Sequence, residues 1–221
     1  MRTYGVSRLF AALCFVSLLA SASAQTVVGQ GPSHPVTPVK DSSMLKPPPG
    51  VKIAIIDWTD LECPACANAF PLVHVAMNKY KIPLVHYDFL IPGHVWSPQA
   101  AVFARYLQDK VSAELATEYR REVFASQSRI SSPDDLNNFT KQFFSAHGKE
   151  MPFVVDPTGQ LKREVEADRD LGLKMGLTHT PTIFVVTRKH WIDVADVMQI
   201  DTAIAQAQAE VAREGTPAPH K

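Results

Sequence analysis

Two of the three cysteines in the chain stand two residues apart, in Cys63-Pro-Ala-Cys66, between a strand-like and a helix-like segment. Upstream, "VKIAIIDW" (51–58) is short, β-branched and nearly all apolar, which predicts a strand buried on both faces. Downstream, Ala69, Leu72, Val73, Ala76, Met77 and Tyr80 recur at three- and four-residue steps. That period predicts a helix from Pro64 to Tyr80, kinked at Pro71. Cys63 therefore sits at a helix N-terminus, where unpaired backbone N–H groups and the macrodipole favour a thiolate. Cys66, one turn further in, is within reach to close a disulfide ring or to resolve a mixed disulfide. A structural zinc ion would need two more ligands; no cysteine follows Cys66, and the eight histidines show no paired ligand spacing. Soft Cu(I), which accepts few ligands, remains open for the pair. A purely structural disulfide over so short a loop would restrict the unfolded chain very little. Redox chemistry is the first reading of the motif and metal binding the second.

The remaining chain supplies a frame for that site. "IPLVHYDFL" (82–90) reads as a second buried strand. Helices follow: one with Ser97 as N-cap and Pro98 at its first position, and "SAELATEYRREVF" with Leu115, Tyr119 and Val123 on one face. Another opens at Ser132-Pro133-Asp134-Asp135 and ends at Gly148. A helix from about Thr158 to Met175 stops at Gly176, a strand spans 181–187, and 190–197 is its hairpin partner. "DTAIAQAQAEVARE" closes the chain as a helix. The order is β-α-β, a helical block over about 97–150, then β-β-α, an α/β chain with no internal repeat. Trp58, Trp96 and the Phe139, Phe143, Phe144 group read as core, and His86 and His94 as structural.

The N-terminus fixes the compartment expected. Arg2 and Arg8 precede an apolar run from Leu9 to Ala20, and Ala22-Ser23-Ala24 forms a small-x-small cleavage site. Residues 1–24 thus read as a signal peptide, too short in its apolar run to span a bilayer comfortably, and Cys14 leaves with it. A periplasmic or secreted location lets Cys63 and Cys66 persist as a disulfide. Without the two leader arginines, 20 of the 22 basic side chains face 22 acidic ones. That balance gives no reason to expect nucleic acid or an anionic membrane as a partner, and no further segment is apolar enough to span a membrane. Residues 25–50, rich in Pro, Ser, Thr and Gly, read as a flexible tether that becomes ordered only near Val51. The domain is expected over 51–213 and a disordered tail over 214–221.

Taken together, the strand, Cys-Pro-Ala-Cys, the helix with Pro71 and the downstream "GLTHTPTIFVV" resemble the thioredoxin fold. Thr180-Pro181 matches the cis-proline that this superfamily places opposite its active-site helix. Asp57, six residues before Cys63, matches its buried acidic residue. Cys63 and Pro181 are 118 residues apart, more than a minimal thioredoxin needs. A thioredoxin fold (βαβ…ββα) with a helical insertion between its halves is similar to the DsbA-like thiol:disulfide oxidoreductases, as is the stretch "YDFLIPGHVWSPQAAVFARYLQ".

The resemblance implies catalytic roles for Cys63, Cys66 and Asp57, the last with a raised pKa and relaying the Cys66 proton. It implies client binding by Thr180 and Pro181, with His179 beside them, no cofactor beyond the redox-active pair, and no metal. Client proteins with thiols or disulfides and a membrane redox partner, DsbB-like or VKOR-like, follow from it as well. The sequence departs from DsbA in having Ala65 where DsbA carries a histidine. Asp60 and Glu62, if they face Cys63, would disfavour its thiolate and make the pair a weaker oxidant. A copper(I) metallochaperone, a disulfide isomerase or reductase, and a binding module without turnover are the competing readings.

Overall fold

The run Ile53–Thr59 forms β1, and every one of its seven residues is buried, as a strand covered on both faces must be. The computed structural model describes residues 37–214. The expected signal peptide, the tether up to residue 36 and the tail from residue 215 lie outside the described residues. A helix, α1 (Pro64–Tyr80), carries the chain from β1 to β2 (Leu84–Asp88), which lies parallel to β1. Three helices follow, α2 (Ser97–Lys110), α3 (Ala113–Ser126) and α4 (Pro133–Ala146), with a short 3-10 helix at Gln127–Arg129. The chain then runs through α5 (Gln160–Met175), β3 (Thr182–Thr187), β4 (Trp191–Asp193) and α6 (Ile200–Glu214).

The sheet order is β2-β1-β3-β4, with β3 antiparallel to both of its neighbours. This is the mixed sheet of a thioredoxin fold, with the helical insertion where the sequence places it. Strand β2 corrects one expectation: it is an edge strand and only Asp88 in it is fully buried.

Alternation along β1 divides the core in two. Ile53 and Ile55 pack against Val73 and Ala76 of α1 and Ile204 and Ala207 of α6. Ala54, Ile56 and Trp58 face the opposite layer with Phe89, Phe184 and Met175. Gly172 of α5 allows the close approach there, since a Cβ at that position would lie 2.6 Å from the Phe89 ring. A third cluster fills the helical block around Phe103, Tyr119, Leu136 and Phe144, and it extends to Leu61, Cys63 and Cys66. Trp58 and Trp96 are buried, as core residues.

Two further expectations are corrected. Order does not begin near Val51: Thr37 donates its N–H to Asp193 at 2.8 Å, Lys40 donates to the Met175 carbonyl at 2.8 Å, and Leu45 is buried with Trp58 and Phe184. Gly176, in the left-handed region at φ +91°, ends α5 where the Pro38 carbonyl passes. Residues 37–50 are therefore a strap on the domain; their prolines stiffen it, and one leucine anchors it.

The second correction concerns α2, which is not capped by Ser97. The carboxylate of Glu62, 34 positions upstream, accepts the N–H groups of Trp96 at 2.8 Å and Ser97 at 3.0 Å. A charged acceptor at a helix N-terminus outcompetes a serine hydroxyl.

Leu45→Ala is expected to destabilise the protein by about 2–4 kcal/mol, the usual range for emptying a buried leucine site. A denaturant melt checks this; a loss below about 0.5 kcal/mol, as for a surface change, would return the segment to the status of a tether.

Candidate active site

The junction of β1 and α1 forms the site. Cys63 is the N-cap residue of α1, at φ −81° and ψ 119°, and Pro64 follows at the start of the helix, where its missing N–H costs nothing. The Cys63 carbonyl accepts the Ala67 N–H at 3.2 Å. Cys66 lies one turn on and is wholly buried, whereas Cys63 retains 8% of its surface. Both cysteines are free thiols.

The two sulfurs have opposite electrostatics. The Cys63 pKa is lowered to about 6, chiefly by the Cys66 thiol hydrogen bonding to it. Burial opposes that shift, and Thr180 and the N–H groups of Cys66 and Ala65 at the helix start reinforce it. Cys66 is raised well above a normal thiol, first by burial and then by the neighbouring Cys63. One sulfur is thus a thiolate at neutral pH, reachable from outside, and the other a protonated thiol behind it.

The facing wall is the loop before β3. The Thr180–Pro181 peptide is cis, and the Cys63 Sγ lies 3.5 Å from the Thr180 carbonyl. Thr180 is buried and Pro181 half-buried. The Thr182 hydroxyl donates to the His179 carbonyl at 2.8 Å, which ties the turn to the strand. Thr180, Pro181 and the backbone of His179 thus lie on the loop that meets the Cys63 sulfur.

Asp57 is 4% exposed and on the face of β1 that carries α1. Its Oδ1 is 3.0 Å from the Nδ1 of His86 on β2. A cavity of about 420 Å³ beside it is lined by Phe70, His74, His86, Gln108, Thr117 and Arg120.

The concern raised by Asp60 and Glu62 is removed by their partners. Asp60 accepts the Glu62 N–H at 2.8 Å and the Ile91 N–H at 2.8 Å, and pairs with His94 at 3.0 Å. Glu62 is engaged with the start of α2. Both carboxylates hold backbone and are not turned on Cys63.

Gln127 and Arg120 escaped the sequence reading, and His86 was read there as structural only. Gln127, from the 3-10 helix, donates through Nε2 to the carbonyls of Leu61 at 2.8 Å and Cys63 at 3.1 Å. His86 and the buried Arg120 surround Asp57 from β2 and α3. Gln127 lies more than 60 positions from its partners, so no local signal could have found it. Neither cysteine belongs to a group of three or more metal-ligating side chains among the described residues.

Titration of the reduced protein by thiolate absorbance is expected to show one midpoint near pH 6, lost in Cys63→Ser. Because the folded pKa lies below the unfolded value of about 8.5, the Cys63 thiolate stabilises the fold fully only above that pH. The contribution disappears as pH falls towards 6. Melts of reduced wild type and Cys63→Ser should therefore diverge between these limits; parallel curves would contradict the assignment.

A sequence model described as thioredoxin matches residues 50–208. No curated protein sequence matches the chain. Among solved structures, alpha-DsbA1 of Wolbachia pipientis is similar at 16% identity and a TM-score of 0.57, over 75% of this chain and 92% of that one. ScsC of Proteus mirabilis, in a transitional conformation, is similar at 14% identity and a TM-score of 0.59, over 74% and 71% of the two chains. A periplasmic thioredoxin-like protein of Salmonella enterica serovar Typhimurium is similar at 17% identity and a TM-score of 0.58, over 74% and 88%. At these identities the likeness concerns the fold, and the sequence match carries the family. The chain belongs to the thioredoxin family.

Proposed function

We propose that the protein is an exported thiol:disulfide oxidoreductase of DsbA-like type, exchanging disulfides with client proteins through Cys63 and Cys66. The observation that carries this reading is the asymmetry of the pair, a depressed Cys63 facing Thr180 and a raised, buried Cys66. A nucleophile and a leaving group of this kind are what thiol–disulfide exchange requires. In the oxidised protein a client thiolate attacks Cys63 Sγ, the Cys63–Cys66 bond breaks, and Cys66 departs with the electron pair and takes a proton. A second client thiolate then attacks the client sulfur of the mixed disulfide, forming the client disulfide and releasing Cys63 as thiolate.

Asp57 relays the Cys66 proton in this reading, and Thr180 and Pro181 hold the extended client backbone opposite Cys63, with His179 at the edge. No cofactor takes part beyond the cysteine pair. The leader-like residues 1–24 support a periplasmic or secreted location, and a DsbB-like or VKOR-like membrane protein reoxidises the pair. Among the described residues no helix is long and apolar enough to cross a membrane.

The direction of electron flow follows from the thiolate. Whatever stabilises Cys63 as thiolate stabilises the reduced form, and so makes the disulfide more oxidising. The couple, equilibrated with glutathione, is expected at a potential less negative than thioredoxin's, which is about −270 mV; a more negative value would make the protein a reductant. Cys66→Ser should accumulate covalent client adducts through Cys63, and Cys63→Ser should not. Equal yields from the two variants on non-reducing gels would overturn the division of roles.

A further inference from the structure

Two helices of the insertion bring three metal-ligating side chains to one place. Glu118 and Glu122 stand four residues apart on α3, so their carboxylates lie one turn apart on one face. His147, the residue that ends α4, meets them from the neighbouring helix. The ligand atoms of all three lie within 4.8 Å of one another, and His147 Nε2 is 3.8 Å from Glu122 Oε1. That distance is too long for a hydrogen bond and close to what one shared ion needs. Two ligand atoms each ~2.1 Å from a tetrahedral Zn²⁺ stand about 3.4 Å apart. Small rotations of the two glutamate side chains would close the set.

The imidazole is held in place by groups that are not ligands. The His147 N–H donates to the Phe143 carbonyl at 3.1 Å, and its ring packs on the Phe143 ring with centroids 4.3 Å apart. Phe143 is buried and meets the Tyr119 ring edge-on at 5.1 Å. Tyr119 follows Glu118 in α3, so the contact that fixes His147 also fixes the helix carrying both carboxylates. Gly148, in the left-handed region at φ +64°, turns the chain directly after the histidine.

The carboxylates gain from a cation. At this spacing two like charges repel. Arg121 donates to one oxygen of Glu118, but that pair is exposed and contributes little. None of the three ligands is fully buried, and a cleft of about 420 Å³ between α3 and α4 opens beside Glu122. Water can therefore complete the coordination. One imidazole nitrogen with two carboxylates suits Zn²⁺, whereas Mg²⁺ and Ca²⁺ take oxygen ligands.

A second group of the same composition, His190, Glu210 and Glu214, serves as the control. Its members are already spent: His190 contacts Glu210 directly, the Thr187 hydroxyl donates to Glu210 at 3.4 Å, and Lys189 pairs with Glu214 at 3.2 Å.

We propose that Glu118, Glu122 and His147 bind one Zn²⁺ ion, with water completing its shell, and that the ion clamps α3 to α4. The site shares no residue with the cysteine pair and does not depend on the disulfide-exchange reading.

The test is calorimetric titration of the full chain with Zn²⁺ in a Cys63→Ser/Cys66→Ser background, which removes the thiols as competing ligands. One equivalent is expected to bind at this site. His147→Ala and Glu122→Gln should each weaken it at least tenfold, the low end for altering even a group behind a metal ligand. His190→Ala should leave it unchanged. Zn²⁺ should raise the Tm of the background protein and of His190→Ala, but not of His147→Ala. In wild-type protein, where no variant need fold, Zn²⁺ should shift the NMR signals of the His147 ring. Binding that His147→Ala and Glu122→Gln leave unchanged would overturn the site, as would binding lost in His190→Ala instead. So would His147 ring signals that stay in place at millimolar Zn²⁺.

Discussion

Everything at the site depends on how the short turn from Asp60 to Cys63 is gripped from two sides. Its acidic side chains reach outward, Asp60 to the Ile91 N–H and Glu62 to the first N–H groups of α2. Its carbonyls at Leu61 and Cys63 receive the amide of Gln127 from the far end of α3. The helical block is thereby tied to the cysteine-bearing turn by hydrogen bonds on both flanks, several of them charge-assisted and individually strong. A cysteine at the mouth of a helix needs a fixed backbone if the N–H groups behind it are to aim at its sulfur, and this arrangement supplies one.

The same economy of partners governs the interior charges. Arg105 joins α2 to the end of β2 and to α5 through Asp88 and Asp168, so the insertion and the sheet share a partly buried ion cluster. Groups of this kind cost desolvation and are tolerated only when each charge has a partner. Arg120 is the exception, with its Nε and Nη2 unbonded, and its charge is balanced at longer range by Asp88 and Asp57.

Much of this was legible in the sequence because it rests on local rules. The all-apolar run at β1, the period of α1, Ser132-Pro133 at the start of α4 and Gly176 at the end of α5 each name their own element. Residues 37–50 misled because proline-rich composition reports stiffness and solubility, and cannot report one buried leucine at Leu45. Strand β2 misled for a related reason: its apolar run says that it packs, but an edge position is a property of the sheet order.

The sequence by itself determined the nucleophile candidate and its partner, since a helix N-terminus and a Cys-x-x-Cys spacing act within a single turn. The resemblance to the thioredoxin fold that the sequence carries also picked out Asp57 and Pro181. What only the tertiary structure decided is the electrostatic sign of the surroundings. Asp60 and Glu62 carry negative charge next to Cys63 in the chain, and in space they spend it on backbone N–H groups brought in from residues 91–97. A carboxylate's effect on a thiol depends on direction and on competing donors, and those are set by packing between segments far apart in sequence.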